Sequence, residues 1–257
     1  MLAKVTRACL YLIALGAAIA IGVPIVHAED AHRDHAATQP AKTGFQGDPY
    51  LLDTDPVTGD KLPAEPVIYK HEGRELRFAD KKSLEAFKAA PAKYLPKVDE
   101  LMTKQQMPFY SLETCPVSGQ KFGTMGKPPS LIYKNRLVRF CCGGCVEEFE
   151  KDPPKYIAKL DEAVIAKQGP SYPLATCVVS GNKLGEMGKP VDLVVGNRLV
   201  RLCCPACLKD INKNPLKYLK MIDDEAAKKA SHSKPAPPAS RGAHNEGGHA
   251  GHGGHRY

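Results

Sequence analysis

Thr114-Cys115-Pro116-Val117-Ser118-Gly119, followed by Phe140-Cys141-Cys142-Gly143-Gly144-Cys145, is the stretch on which the reading of this chain turns. It recurs as Thr176-Cys177-Val178-Val179-Ser180-Gly181 and Leu202-Cys203-Cys204-Pro205-Ala206-Cys207. In both copies 25 residues separate the first cysteine from the second, the second is doubled, and two residues precede the last. Two such spacings in one chain point to shared chemistry. A tight turn, a strand end and a helix start can bring soft ligands to one point, and a helix start favours the thiolate over the thiol. Three or four thiolates suit Zn(II) or Cu(I). The expected ligands are Cys115, Cys141, Cys142 and Cys145 in one site and Cys177, Cys203, Cys204 and Cys207 in the other, with about two metal ions per chain.

Working outward, the chain repeats itself at a period of about 60 residues, the mark of a module used several times. Tyr50, Tyr110 and Tyr172 open three units, and Pro91-Ala92-Lys93-Tyr94, Pro154-Lys155-Tyr156 and Pro215-Leu216-Lys217-Tyr218 recur late in them. In the second unit Leu131-Ile132-Tyr133 and Arg136 to Phe140 flank Lys134-Asn135, a hairpin pattern; Gly196-Asn197 takes that place in the third. A short helix is expected from the CxxC, with Val146 and Phe149 on one face. Pro153 and Pro154 stop it. A second helix carries Tyr156, Leu160 and Val164 at four-residue spacing. A ββαα unit of this size buries too little surface to be stable alone, so a bound metal or packing of the units on one another is expected.

The first unit lacks cysteine. Asp55 stands opposite Cys115, and Ala79, Asp80 and Ser83 stand opposite Cys141, Cys142 and Cys145. It is read as structural or interaction-bearing rather than as a hard-metal site on Asp55 and Asp80. Met125 and Met187 sit in Gly-Thr-Met-Gly-Lys-Pro and Gly-Glu-Met-Gly-Lys-Pro, inside the spacer of each cysteine unit. Thioethers favour Cu(I), but packing in a gap is the preferred reading of both. His71, the one histidine within the repeats, is expected at the surface.

The ends differ in character. Lys4 and Arg7, the apolar run from Ala8 to Val23, and Val26-His27-Ala28 have the plan of a secretory signal. The chain is therefore expected to be exported, to a bacterial periplasm or an equivalent compartment, with an uncleaved N-terminal anchor as the alternative. Residues 29–48 read as a polar linker in which His32 and His35 are solvated. Residues 228–257 are rich in Gly, Pro, Ser and His and are expected to be disordered. His244, His249, His252 and His255 leave two readings open, loose further metal binding or a solubilising tail.

Cys-Pro-Val-Ser-Gly from Cys115, a hairpin, Arg139-Phe140-Cys141-Cys142-Gly143-Gly144-Cys145, Phe149 and Asp152-Pro153-Pro154-Lys155-Tyr156 together resemble a TRASH or YHS-type metal-binding domain, a family similar to treble-clef zinc fingers. The resemblance covers roughly residues 108–220, with a weaker copy at 50–100. It implies an α+β chain of three tandem ββαα treble-clef-like units, a cysteine-free unit at 49–104 and metal-binding units at 108–168 and 170–227, set between the signal peptide at 1–28 and linker at 29–48 and the His-rich tail at 228–257 read from composition. It implies Cys115 and Cys177 as first ligands and the C-x3-C pairs Cys141/Cys145 and Cys203/Cys207 as the next two. It implies a role in heavy-metal trafficking, sensing or resistance, in exchange with a metal-transport or membrane partner protein. Two departures stand out. Ser118 and Ser180 occupy the place of a second knuckle cysteine common among relatives, and the spacer is slightly long. Cys142 or Cys204, water, a substrate or a partner's ligand would complete each site.

Two other readings remain. Cys142-Gly143-Gly144-Cys145 and Cys204-Pro205-Ala206-Cys207 are CxxC pairs such as thiol–disulfide oxidoreductases use, although the units are short for that fold and Cys115 and Cys177 would go unexplained. Export of eight cysteines also suits a disulfide-stapled interaction scaffold. The net charge of +8 is spread without a dense basic stripe, which argues against nucleic acid. No nucleophile–base constellation or phosphate loop appears, so no catalytic residues, no enzyme activity and no small-molecule substrate are expected.

Overall fold

The computed structural model describes residues 45–233, in three two-stranded antiparallel hairpins each followed by a short and a long helix. The signal expected over 1–28, His32 and His35, and the tail from residue 234 onward lie outside the described residues. Strands β1 (Val67–His71) and β2 (Arg74–Phe78) precede α1 (Lys81–Ala89) and α2 (Pro91–Gln106). Strands β3 (Ser130–Tyr133) and β4 (Arg136–Arg139) precede α3 (Gly143–Lys151) and α4 (Pro153–Gln168). Strands β5 (Val191–Val195) and β6 (Arg198–Leu202) precede α5 (Leu208–Lys213) and α6 (Pro215–Ser233). The chain is thus mixed α+β, and among the described residues no helix is long and apolar enough to cross a membrane.

Local chemistry sets these elements. The turn pairs Glu72-Gly73, Lys134-Asn135 and Gly196-Asn197 all have positive φ, the two-residue turn whose twist matches the flanking strands. Pro91, Pro153 and Pro215 each open the long helix of their segment. There the missing N–H is no loss, because a first-turn amide has no partner within the helix. The long helices present their apolar stripe as expected, with Tyr156, Ile157, Leu160 and Val164 buried on α4.

Each segment is small, and each core is completed by a neighbour. Phe78, Phe87, Val98 and Met102 of the first pack with Ile132 and Leu137 of the second hairpin. Phe140, Phe149, Ile157 and Leu160 of the second pack with Val194 and Leu199 of the third. Val200, Leu202, Ile211 and Leu219 of the third pack with Leu51 from the first. Glycine at 196 leaves room for Leu51: a Cβ there would meet Leu51 Cδ1 at 2.3 Å and force that side chain to shift.

Polar clamps repeat this order. At the end of α2, the Gln106 amide donates to Asn135 O at 2.8 Å and its carbonyl accepts from Leu137 N at 2.8 Å. Gln168, ending α4, does the same to Asn197 O at 2.9 Å and Leu199 N at 2.8 Å. Ala230 of α6 stands at the corresponding place in the third segment. A polar contact between the third and first segments comes from Arg77, which donates to Asn212 O at 2.6 Å and Lys213 O at 2.9 Å, the free carbonyls ending α5.

Two boundaries depart from expectation. The end of the expected linker is packed: Asp48 is buried, its N–H donates to Lys134 O at 2.9 Å, and its carboxylate holds Arg136 in a fork at 2.6 and 2.8 Å. Phe45 lies beside Tyr133 with ring centroids 6.1 Å apart. A polar Pro- and Gly-containing stretch hides such a strap because its partners are distant in sequence. The tail expected from residue 228 begins as helix, with α6 running to Ser233. His71 is also not simply at the surface, because its ring meets Phe87 edge-on at 5.3 Å.

Gln106→Ala removes both clamp bonds and leaves Leu137 N and Asn135 O in the interior without them. It is expected to cost about 2 kcal/mol, read as a lower urea midpoint at unchanged slope. Gln120→Ala, at an exposed position, is expected to leave the midpoint unchanged.

Candidate metal centre

The first cysteine of each copy sits on a tight knuckle. Cys115 N donates to Gln120 O and Gly119 N donates to Cys115 O, both at 2.8 Å; Cys177, Asn182 and Gly181 repeat the pair at the same distances. The turn needs its glycines, since Gly119 and Gly181 have φ of +76° and +77°. The second and third cysteines come from where the hairpin ends and the helix begins: Cys141 follows β4, Cys142 is the residue before α3, and Cys145 lies in its first turn. Cys203, Cys204 and Cys207 hold the same places, with a short 3-10 turn, Pro205–Cys207, leading into α5.

The fold brings Cys115, Cys141 and Cys145 together, and likewise Cys177, Cys203 and Cys207, with all sulfurs of a group within 4.8 Å of one another. All six are buried. Cys141 Sγ is 3.6 Å from Cys145 Sγ; Cys207 Sγ is 3.9 Å from Cys177 Sγ and 4.0 Å from Cys203 Sγ. Sulfurs sharing a tetrahedral zinc ion at about 2.3 Å stand about 3.8 Å apart, whereas bonded disulfide sulfurs are about 2.0 Å apart. The eight described cysteines are all free thiols, and the two groups have the donor type and spacing to hold a soft metal ion. Cys142 and Cys204 lie beside these groups. Cys142 Sγ is 3.9 Å from Cys141 Sγ and 3.7 Å from Cys145 Sγ, and Cys204 Sγ is 3.9 Å from Cys203 Sγ.

Serine occupies another corner of each site. Ser118 Oγ is 3.3 Å from Cys141 Sγ, and Ser180 Oγ is 3.3 Å from Cys203 Sγ. The sequence shows these serines only as the absence of a cysteine. Their contact with sulfur was signalled by their identical place, three residues after the first cysteine, in both copies.

The electrostatics divide the thiols. Burial disfavours the Cys115 thiolate, but the amides of Ser118 and Cys141, the Ser118 hydroxyl and the Val117 amide outweigh it and bring the pKa down to about 7. Cys177 is brought down to about 6 against burial by the corresponding groups of Ser180, Cys203 and Val179. Burial, then the neighbouring Cys141 and Cys142 thiols, pushes Cys145 up to about 12; burial, then Cys177, does so for Cys207. Cys142 is lowered by the Cys145 amide first, and Cys204 by the Ala206 amide.

The cysteine-free segment has the same amide nest filled differently. Asp55 Oδ1 accepts from Val57 N at 2.7 Å and Thr58 N at 3.1 Å, and Oδ2 accepts from Ala79 N at 2.7 Å. These amides correspond to those of Val117, Ser118 and Cys141. Asp80 in turn accepts from Ser83 N at 2.8 Å and caps α1. Both carboxylates serve backbone amides, which agrees with a structural reading of this segment. Met125 and Met187 correct an expectation: each is 60% exposed, so neither fills a gap in packing. Their loops carry glycines at positive φ on both sides, Gly123 and Gly126, and Gly185 and Gly188.

Comparison of the chain with protein-family models, with curated proteins and with solved structures finds no match.

The lowered thiols make a pH prediction for the metal-free protein. A thiol whose folded pKa lies below its unfolded value of 9.0 contributes stability that is fully present above pH 9 and lost as pH falls through the folded pKa, about 7 for Cys115 and about 6 for Cys177. Unfolding midpoints measured under reductant and chelator should therefore fall more steeply from pH 9 to pH 6 in the wild type than in Cys115→Ser/Cys177→Ser. Parallel curves would contradict these assignments.

Proposed function

We propose that this is a heavy-metal-binding protein that holds Zn(II) or Cu(I) as cargo in two thiolate sites, for metal trafficking, sensing or resistance. The observation that carries the reading is the convergence of three buried free thiols in each site, at sulfur spacings that fit a shared soft cation. Cys115, Cys141 and Cys145 would be the resident ligands of one site, and Cys177, Cys203 and Cys207 those of the other. The knuckle amides steady the thiolate form of Cys115 and Cys177. The aromatic side chains of Phe140 and Phe149, packed with Cys115, Cys141 and Cys145, keep water from the inner side of the first set. A bound metal would supply charge neutralisation of the thiolates and a cross-link between knuckle and helix. The thioethers of Met125 and Met187, in the spacer loop of each cysteine unit and exposed to solvent, are soft donors that favour Cu(I) over Zn(II).

The likeness of the cysteine pattern to TRASH and YHS-type domains supports the same reading. On it, the three hairpin–helix–helix segments are copies of one treble-clef-like module, with the metal role kept by the second and third. The sequence features of residues 1–28 support export, and a cargo of this kind implies a metal-transport or membrane partner. No enzyme activity is part of the proposal.

One observation favours a second reading. Cys142 is lowered and half-buried while Cys145, 3.7 Å away, is raised and buried, the asymmetry of a CxxC pair in thiol–disulfide exchange. Cys115 and Cys141 converging on the same point have no task in that chemistry.

Protein ending at Ser233 and purified under reductant is expected to carry about two equivalents of Zn or Cu. Cys145→Ser should remove one, Cys207→Ser the other, and the double variant both, by elemental analysis. Four disulfides by free-thiol counting with no bound metal would overturn the proposal, and rapid reduction of insulin would promote the second reading.

A further inference from the structure

In each site one cysteine stands apart from the buried three. Cys142 is half-buried and is followed by the exposed Gly143 and Gly144. A Cβ added at either glycine meets nothing within 4 Å, so the space beside Cys142 is open. Cys204 is likewise half-buried and is followed by the exposed Pro205 and Ala206. Yet Cys142 Sγ lies 3.9 Å from Cys141 Sγ and 3.7 Å from Cys145 Sγ, and those two are 3.6 Å apart. Three sulfurs around one ion at about 2.3 Å in a plane stand about 4.0 Å apart. Cys141 and Cys145 therefore belong to two sulfur triangles at once, a buried one with Cys115 and an outward one with Cys142.

A second observation points the same way. In the cysteine-free segment the equivalent residue, Asp80, caps its helix through Ser83 N. Cys142 precedes α3, and Cys204 the following 3-10 turn, with no side-chain cap bond. Both positions forgo a stabilising cap, the usual use of a residue there, and carry a thiol against the ligand set.

We propose that Cys142 and Cys204 are relay ligands, through which a soft metal ion passes from the buried triangle to an acceptor bearing its own thiols. The proposal rests on the metal-binding reading. In the exchange the Cys142 sulfur–metal bond forms as the Cys115 sulfur–metal bond breaks. The Cys142 thiol proton goes to water, and the released Cys115 thiolate either stays in its amide nest or takes a proton from water. Cys141 and Cys145 remain bound throughout, and no electron changes hands. An acceptor thiolate then enters from the open side.

The test uses the full chain loaded anaerobically with Cu(I) and challenged with the chromophoric chelator bicinchoninate, with and without glutathione as a thiol acceptor. Cys142→Ser/Cys204→Ser is expected to keep the wild-type Cu(I) stoichiometry but to release the ion about tenfold or more slowly, the scale on which residues around a metal site alter its chemistry. Cys115→Ser/Cys177→Ser, which leaves the outward triangle, is expected to release at least as fast as wild type. Loss of bound Cu(I) from the first variant would make Cys142 and Cys204 resident ligands and overturn the relay. Unchanged release would also overturn it. A wild-type protein that takes up Zn(II) but no Cu(I) would overturn the relay as proposed for Cu(I), and one that takes up neither would instead remove the metal-binding reading beneath it.

Discussion

The arrangement of the three segments depends on Arg136, the largest fully buried side chain among the described residues. Its guanidinium grips Asp48 in a two-pronged fork, pairs with Asp161 of α4 and donates to Val194 O at 2.6 Å, while Gly196 N donates to the same Asp48 carboxylate at 2.7 Å. One charge thus ties the strap at 45–48, the second hairpin, its long helix and the turn of the third hairpin. Desolvating an ion pair this deeply offsets most of its attraction, so such a pair is a poor source of net stability. What it enforces is alignment, because any other packing of these elements leaves a buried charge unanswered. Arg74 with Asp99 and Arg198 with Asp223 repeat the hairpin-to-helix pairing nearer solvent. Only the central copy has a second carboxylate.

Against that rigid centre, the clustered cysteines belong to the apolar cores themselves. Cys115, Cys141 and Cys145 pack with Phe140, Phe149 and Tyr156, and Cys177, Cys203 and Cys207 with Leu202, Ile211 and Leu219. Thiol geometry and core packing are then one structure, so a metal bound there would be coupled to folding. The first segment is independent of that coupling, because the Asp55 carboxylate fills the amide nest and needs neither a metal nor a reducing environment.

Features governed by local chemistry were legible in the sequence. The turn pairs at Lys134-Asn135 and Gly196-Asn197, the prolines that start the long helices, and the cysteine spacing that delivers three sulfurs to one point each depend on a few consecutive residues or on a repeated interval. The coupling between segments was not. Gln106 and Gln168 look like ordinary polar helix ends, and Asp48 like part of a solvated linker, until chain folding puts partners 29 and 31 residues away from each glutamine, and 88 from Asp48. Met125 and Met187 misled because an apolar side chain is usually buried, while their glycine-flanked loops hold them out from the core. The separate position of Cys142 was invisible for a related reason: spacing says which sulfurs arrive together, but not which of them faces solvent.

Ala230 gives the glutamine clamps a wider meaning. Chains built from repeated modules commonly form open stacks in which each copy offers the next the same docking surface, so length can drift by duplication. Here a helix ending in glutamine is what receives a following hairpin, and α6 has a methyl group at that place. Leu51 and Arg77 meanwhile turn the third segment back onto the first. The three described segments thus close on one another, with the two thiol clusters lying in the second and third.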